Sequence, residues 1–227
     1  MRPVVVAVLV LSCMAGLAHA GDQAYIEFLW SPASRDALAR GEAQGFVLDE
    51  AQDHRICVVA IGPVIHGSLR IDARDASGKP AGSQRYDGFN GSKECFAANL
   101  DLRGAPGEWM FNVYADGKLV ATKAIEVART LRNAPFLADP RRPYVLGRPN
   151  YDPAIPPGSY AGRLSWIMTV DADGTVADVV VEAAEGAGEL MRDRAVAAGY
   201  ITLFPPDPSR MASPYKVRQE YQLEADR

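Results

Sequence analysis

The sequence predicts a mainly β protein with a small α+β domain: an N-terminal antiparallel β-sandwich followed by a β-β-α-β domain. Three observations indicate this fold. Short apolar alternations separated by turn residues fill the first half of the 227-residue chain. Seven of the sixteen prolines are concentrated between Arg129 and Gly158. The remaining third has the pattern strand, turn, strand, helix, strand.

The first twenty residues have the features of a secretory signal. Arg2 precedes an apolar run from Val4 to Leu11, and Ala18-His19-Ala20 fits the small-x-small pattern of signal peptidase sites. We expect residues 1–20 to be removed during export. No later apolar run reaches the roughly 20 residues of a spanning helix, so we expect no membrane-spanning segment in the mature protein. In the alternative interpretation, the chain is a lipoprotein acylated at Cys13.

The charge balance argues against two classes of partner. The formal net charge is -4 at pH 7, and loss of Arg2 with the signal makes it more acidic. A sequence-wide basic footprint for nucleic acid or for anionic lipid is therefore absent, and we expect no nucleic-acid partner.

Two cysteines, Cys57 and Cys95, remain after removal of the signal. Oxidation is the default for an exported chain, so we expect them to form a disulfide bond, either between two sheets or between neighbouring strands. On the chain-entropy model such a bond stabilises the fold by roughly 4 kcal/mol. The alternative is two buried free thiols. Their spacing is not the C-x-x-C of redox catalysis.

Residues 21–128 form the predicted β-sandwich domain. The expected strands are Ala24 to Trp30, Arg55 to Ile61, Ser68 to Ala73, Glu94 to Leu102, Glu108 to Tyr114 and Leu119 to Val127. Asp116-Gly117 is a strong hairpin signal between the last two. The stretch GEWMFNVYADGKLVATKAIEV resembles the final hairpin of immunoglobulin-like bacterial domains, a likeness that supports architecture and not activity.

The proline-rich segment separates the two domains. Because prolines disfavour regular helices and central strands, residues 129–148 are interpreted as a linker or an extended strap. Residues 149–227 form the second predicted domain.

Within residues 149–227 the pattern is β-β-α-β. Asp171 to Gly174 turns one alternating strand into the next, which runs from Thr175 to Glu182. Met191, Ala195 and Ala198 then recur at helical spacing. In the last strand, four apolar residues alternate with four polar or charged ones: Tyr215, Val217, Tyr221 and Leu223 against Lys216, Arg218, Glu220 and Gln222.

This second domain resembles the TonB C-terminal-like domain. The likeness covers about Pro149 to Asp226 and is carried by GRLSWIMTVDADGTVADVVVEAAEG, the helix after it, FPP at the helix exit, the last strand, and the upstream RPNYDPAIPPGSYAG. The family typically has tyrosine directly followed by proline in the upstream stretch, whereas here Asp152 separates Tyr151 from Pro153.

The resemblance implies a periplasmic location and a protein partner in the cell envelope, such as an outer-membrane protein. In the energy transducers of this family, the module recognises a short peptide by strand addition. Those proteins keep an uncleaved membrane helix and a long spacer, whereas this chain has a cleavable signal and a sandwich-like domain. Coupling to an inner-membrane motor is therefore not expected.

No residue pattern predicts an enzyme, a metal site or a cofactor. His54 and His66 belong to no nucleophile or metal motif and are interpreted as surface residues, His66 at a turn. Asp171 and Asp173 do not fit the twelve-residue calcium loop and are interpreted as turn formers. Trp109 and Trp166 are expected in the core, whereas Trp30 stands beside Pro32 at a strand end.

The candidate binding site is the last strand, which we expect at an edge of its sheet. Edge strands present unpaired backbone groups that accept another strand. The candidate residues are Tyr215, Lys216, Val217, Arg218, Glu220 and Tyr221. The alternative is that the charges only protect the edge from aggregation. At the level of the whole protein, the alternatives to a binding or scaffolding protein are an exported hydrolase and a structural envelope protein.

Overall fold

A computed structural model describes residues 7–9, 24–30, 38–60, 65–91, 93–98, 100–101, 103–150, 155, 159, 161–211 and 215–223. The expected cleavage site, Cys13 and the Tyr151-Asp152-Pro153 stretch lie outside these residues. The strands are β1 (Ala7–Leu9), β2 (Ala24–Trp30), β3 (Ala39–Ala43), β4 (Gly45–Val47), β5 (His54–Ala60), β6 (Ile65–Arg74), β7 (Pro80–Gly91), β8 (Lys93–Ala97), β9 (Gly107–Ala115), β10 (Lys118–Ala128), β11 (Val145–Pro149), β12 (Gly162–Val170), β13 (Val176–Glu185) and β14 (Tyr215–Leu223). The α-helix α1 spans Glu189–Ile201. The predicted mainly β class is confirmed.

The chain divides into two compact units. The N-terminal unit comprises Met14–Ser31 and Ala43–Phe136, and the C-terminal unit comprises Met1–Cys13, Pro32–Glu42 and Leu137–Arg227. The short segment 32–42 thus belongs with the second half of the chain. The predicted domain boundaries remain predictions.

The N-terminal unit contains two groups of neighbouring strands. One runs in the order β4-β10-β9-β6-β7, and in the other β5 lies between β2 and β8. The β10 to β4 pairing is parallel, so this unit is not purely antiparallel as the sequence predicted. Asp116-Gly117 turns β9 into β10 with both residues at positive φ, as a two-residue hairpin requires.

Alternation along the strands builds the core of this unit. Trp109, Phe111 and Val113 of β9 are fully buried, as their shared face predicted. The ring of Phe111 meets Phe28 of β2 edge to face at 4.9 Å. Aromatic contacts of this kind add to the free energy gained by burying apolar surface.

Three strands between residues 39 and 91 were not predicted from the sequence, and a fourth strand was predicted too long. Pro80–Gly91 forms the twelve-residue β7, which pairs along β6. Ala39–Ala43 and Gly45–Val47 are short strands. The strand expected to reach Leu102 ends at Ala97. His66 lies within β6, opposite Asn90, and not at a turn.

The predicted Cys57 to Cys95 disulfide is confirmed. The two residues stand directly opposite each other on β5 and β8. The bond therefore joins neighbouring strands of one sheet, which was the second of the two arrangements expected.

In the C-terminal unit, the antiparallel strands β14, β12 and β13 are neighbours, with β12 between the other two, and α1 packs against β12 and β13. Its core is made by one face of these strands and one side of the helix; its largest fully buried residues are Trp166, Phe204, Leu164 and Met168. The predicted hairpin turn at Asp171 to Gly174 is present, since the Asp171 N–H donates to the Thr175 carbonyl at 2.9 Å.

The proline-rich segment contains one strand, β11, beside two short 3-10 helices, Leu131–Asn133 and Pro135–Leu137. At Gly147 this strand passes so close to α1 that a Cβ atom would overlap the carbonyl oxygen of Ala198. The Thr202 hydroxyl donates to that carbonyl at 2.9 Å and accepts the Gly147 N–H at 3.0 Å. The segment is therefore packed against the helix of its own unit.

Candidate functional site

The candidate site is β14, which pairs with β12 without a register shift from Tyr215 opposite Val170 to Leu223 opposite Gly162. An unbroken antiparallel pairing keeps a strict alternation of faces. Alternate residues of β14 therefore face opposite sides of the sheet, as the sequence predicted.

The inward face of β14 packs against the core. Val217 is fully buried, Tyr221 is nearly so, and Tyr215 is half-buried. The Tyr215 hydroxyl is buried without a hydrogen-bond partner among the described residues, and burial is the main cause that raises the pKa of this phenol. Gln219, opposite Trp166 on this face, is a buried polar residue that the sequence pattern did not indicate.

The outward face carries the predicted charges, and they are not equivalent. Arg218 reaches across β12, with its Nε 3.2 Å from an oxygen of Glu182 on β13 and its Nη2 3.6 Å from one of Glu220. Lys216 is exposed, and in the described part of the chain no carboxylate lies within 4.0 Å of its ammonium group. Lys216 is thus the cation of this face that is available to another molecule.

The edge of β14 is occupied in the full chain, which corrects the expectation of a free edge. Ala7–Leu9 runs parallel to β14, with Ala7 opposite Val217 and Leu9 opposite Gln219. These three residues lie within the expected signal segment. The backbone groups of β14 that point away from β12 therefore accept a strand in this structure.

The opposite edge of the sheet is β13, whose pairing with β12 is irregular. The register shifts between Ser165 and Trp166 and again between Thr169 and Val170. Bulges of this kind disturb the ladder and discourage the addition of another strand. Of the two strands that flank β12, the one with regular pairing is β14.

The FPP stretch that follows the helix holds the first hairpin in place. The Phe204 N–H donates to the Gly174 carbonyl at 2.8 Å, and a Cβ on Gly174 would overlap the Phe204 carbonyl oxygen. The buried Arg210 guanidinium donates to the carbonyls of Pro205, at 2.8 Å, and Pro140. The hairpin turn and the helix exit are therefore joined through backbone contacts.

Asp173 and the tryptophans have structural roles. Thr175 donates to the Asp173 carboxylate through its N–H at 2.9 Å and its hydroxyl at 2.7 Å, and these bonds lower the pKa of Asp173. No group of three or more potential metal ligands occurs among the described residues. Trp109, Trp166 and Trp30 are all buried.

His54 is fully buried, so its interpretation as a surface residue was wrong. Its ring stacks on Phe46 at 4.0 Å, and Trp30 meets it edge to face at 4.8 Å. Its Nε2 accepts the Val47 N–H at 3.3 Å, and its Nδ1 has no partner in the described residues. Burial lowers the pKa of His54 from its ordinary 6.5 to about 4. The imidazole is therefore neutral at pH 7.

No family model and no curated protein matches this chain. One solved structure, described as a tetra-tandem repeat in the extending region of a large adhesion protein, is similar at a TM-score of 0.30 and 10% identity. That similarity covers 91% of this chain, which spans 50% of the length of the adhesion-protein chain. No helix within the described ranges is long and apolar enough to cross a membrane.

Proposed function

We propose that this chain is an exported, non-enzymatic binding or scaffolding protein of the bacterial cell envelope. Its C-terminal unit, similar to the TonB C-terminal-like domain, binds an extended peptide or a partner's edge strand along β14. The N-terminal unit is an immunoglobulin-like β-sandwich. The protein acts in the periplasm, and its partner is a protein of the cell envelope, such as an outer-membrane protein.

The pairing of Ala7–Leu9 with β14 is the observation that carries the proposal. A segment that lies far from β14 in the sequence adds to its edge through the backbone, which is the chemistry of strand addition. Removal of residues 1–20 during export takes this segment away and leaves the edge to a partner. In the exported form, strand addition therefore becomes intermolecular.

The charges of the outward face define the partner's chemistry. Arg218 is already neutralised by Glu182 and Glu220, whereas Lys216 is exposed and lacks such a carboxylate among the described residues. Backbone hydrogen bonds supply affinity without sequence preference, and side chains beside the strand supply selection. A bound strand with an acidic residue beside Lys216 fits this surface best.

The experiment uses the chain that begins at Gly21 as bait in an envelope extract, followed by an affinity measurement with the captured protein. Lys216→Glu replaces attraction with repulsion at an exposed pair. We expect binding to weaken about five- to tenfold, because the lost attraction and the new repulsion are each worth up to about 1 kcal/mol. Lys118→Glu is the matched control, an exposed lysine at the turn between β9 and β10, and should bind as the unmodified chain does.

Two outcomes contradict the proposal. Equal affinity of Lys216→Glu and Lys118→Glu for the captured protein would mean that neither Lys216 nor the outward face of β14 takes part in recognition. If the unmodified bait retains no specific protein, the structural envelope protein becomes the better interpretation.

A further inference from the structure

The disulfide bond joins two cysteines in very different surroundings. Cys57, in the interior strand β5, is fully buried. Cys95, in β8, is exposed, as are three of the other four residues of that strand. One sulfur atom therefore belongs to a buried residue and the other to an exposed one.

We infer that Cys95 is a site of reversible thiolation by small thiols of the glutathione class. A thiolate that reaches the folded protein can attack the sulfur of Cys95, whereas the protein interior shields that of Cys57. The new bond forms between the thiol sulfur and Cys95, and the bond between Cys95 and Cys57 breaks. Its electron pair leaves on the Cys57 sulfur, which takes up a proton from solvent.

Reversal runs along the same path: the Cys57 thiolate attacks the sulfur of Cys95 and releases the small thiol. Alkylation of the freed Cys57 thiol blocks this step, so that the adduct on Cys95 is retained for measurement.

Strand β8 is also held by contacts other than the disulfide bond. Residues Lys93 to Ala97 pair with Arg55 to Val59 of β5. The Phe96 ring stacks on Tyr86 at 3.6 Å, and the Lys93 ammonium lies 2.6 Å from an oxygen of Glu27. These contacts are independent of the bond between the sulfur atoms, so thiolation modifies a folded protein.

The test treats the non-reduced full chain with reduced glutathione at pH 8 under native conditions. Free thiols are then alkylated, and the two cysteine peptides are quantified by mass spectrometry. We expect the glutathione adduct on Cys95 to exceed that on Cys57 at least tenfold, with alkylation on Cys57 and an unchanged circular dichroism spectrum. In urea, where both sulfurs are accessible, the preference should disappear.

Two results overturn the inference. Comparable adducts on both cysteines in the native chain mean that burial does not direct the reaction. A bond that yields an adduct in urea and none under native conditions means that Cys95 is not accessible to thiols in the fold. Neither result bears on strand binding at β14, so this inference stands or falls separately from the proposed function.

Discussion

The burial of His54 predicts that the protein loses stability in acid through this one side chain. In the unfolded chain the imidazole takes up a proton below about pH 6.5, whereas in the folded protein its pKa is lowered to about 4. The unfolded state therefore binds the proton first as the pH falls. The stability that the folded protein has with a neutral His54 is fully present above pH 6.5 and is lost as the pH falls towards 4.

The magnitude follows from the two pKa values. The lowering of the pKa from 6.5 to about 4 corresponds to about 3 kcal/mol between pH 7 and pH values below 4, of which about 2 kcal/mol is lost by pH 4.5. Protonation at Nε2 would also place an N–H against the Val47 N–H that this nitrogen accepts. The buried cation would have no compensating acceptor there.

Urea unfolding at pH 7 and at pH 4.5 measures this loss. His54→Gln keeps an acceptor near the Val47 N–H but does not titrate, so its free energy of unfolding should fall by about 2 kcal/mol less than that of the unmodified chain. His66→Gln is the control and should keep the full loss. Equal pH dependence in the unmodified chain and in His54→Gln would refute the reasoning.

Two glycines of the C-terminal unit give further predictions, each with a matched control. Gly174→Ala should destabilise this unit by about 3 kcal/mol or more, because the new Cβ meets the Phe204 carbonyl and φ is positive. Gly117→Ala, also at positive φ but with open space around it, should cost about 1 kcal/mol. Gly147→Ala should likewise destabilise the C-terminal unit, since its Cβ meets the backbone of α1. Gly188→Ala should destabilise it less, because a Cβ at Gly188 has open space around it. Thermal unfolding measures all four, and equal losses within either pair would contradict the packing described.

Strands made of apolar and other β-forming residues were predictable from the sequence, whereas strands that depend on pairing with a neighbour were not. Ala24 to Trp30 matches its strand at both ends, because nearly every residue there is apolar and ordinary β-formers fill it. The sequence of β7, PAGSQRYDGFNG, contains three glycines and a proline at its first position. Those residues indicate turns when taken alone, and only pairing with β6 makes them a strand.

The sequence predicted that the candidate site is a strand and which side chains share a face, but not the ion pairs that those side chains form. Alternation assigned Lys216 and Arg218 to one face, as found. The ion pair from Arg218 to Glu182 depends on the register shift next to Glu182 in β13, which no sequence pattern indicated. His54 was misjudged because its polar neighbours dominate, although its period-two relation to the buried Ile56 and Val58 was the signal for burial.

Hydrogen exchange in the chain that begins at Gly21, measured with and without the captured envelope protein, tests strand addition at β14 most directly. An added strand takes up the backbone N–H groups of β14 that point away from β12, and these amides become protected. We predict at least tenfold slower exchange in Tyr215–Leu223 and little change in Val176–Glu185, the outer strand on the other side. Protection confined to β13 or to the N-terminal unit, with β14 unchanged, would contradict the proposed function.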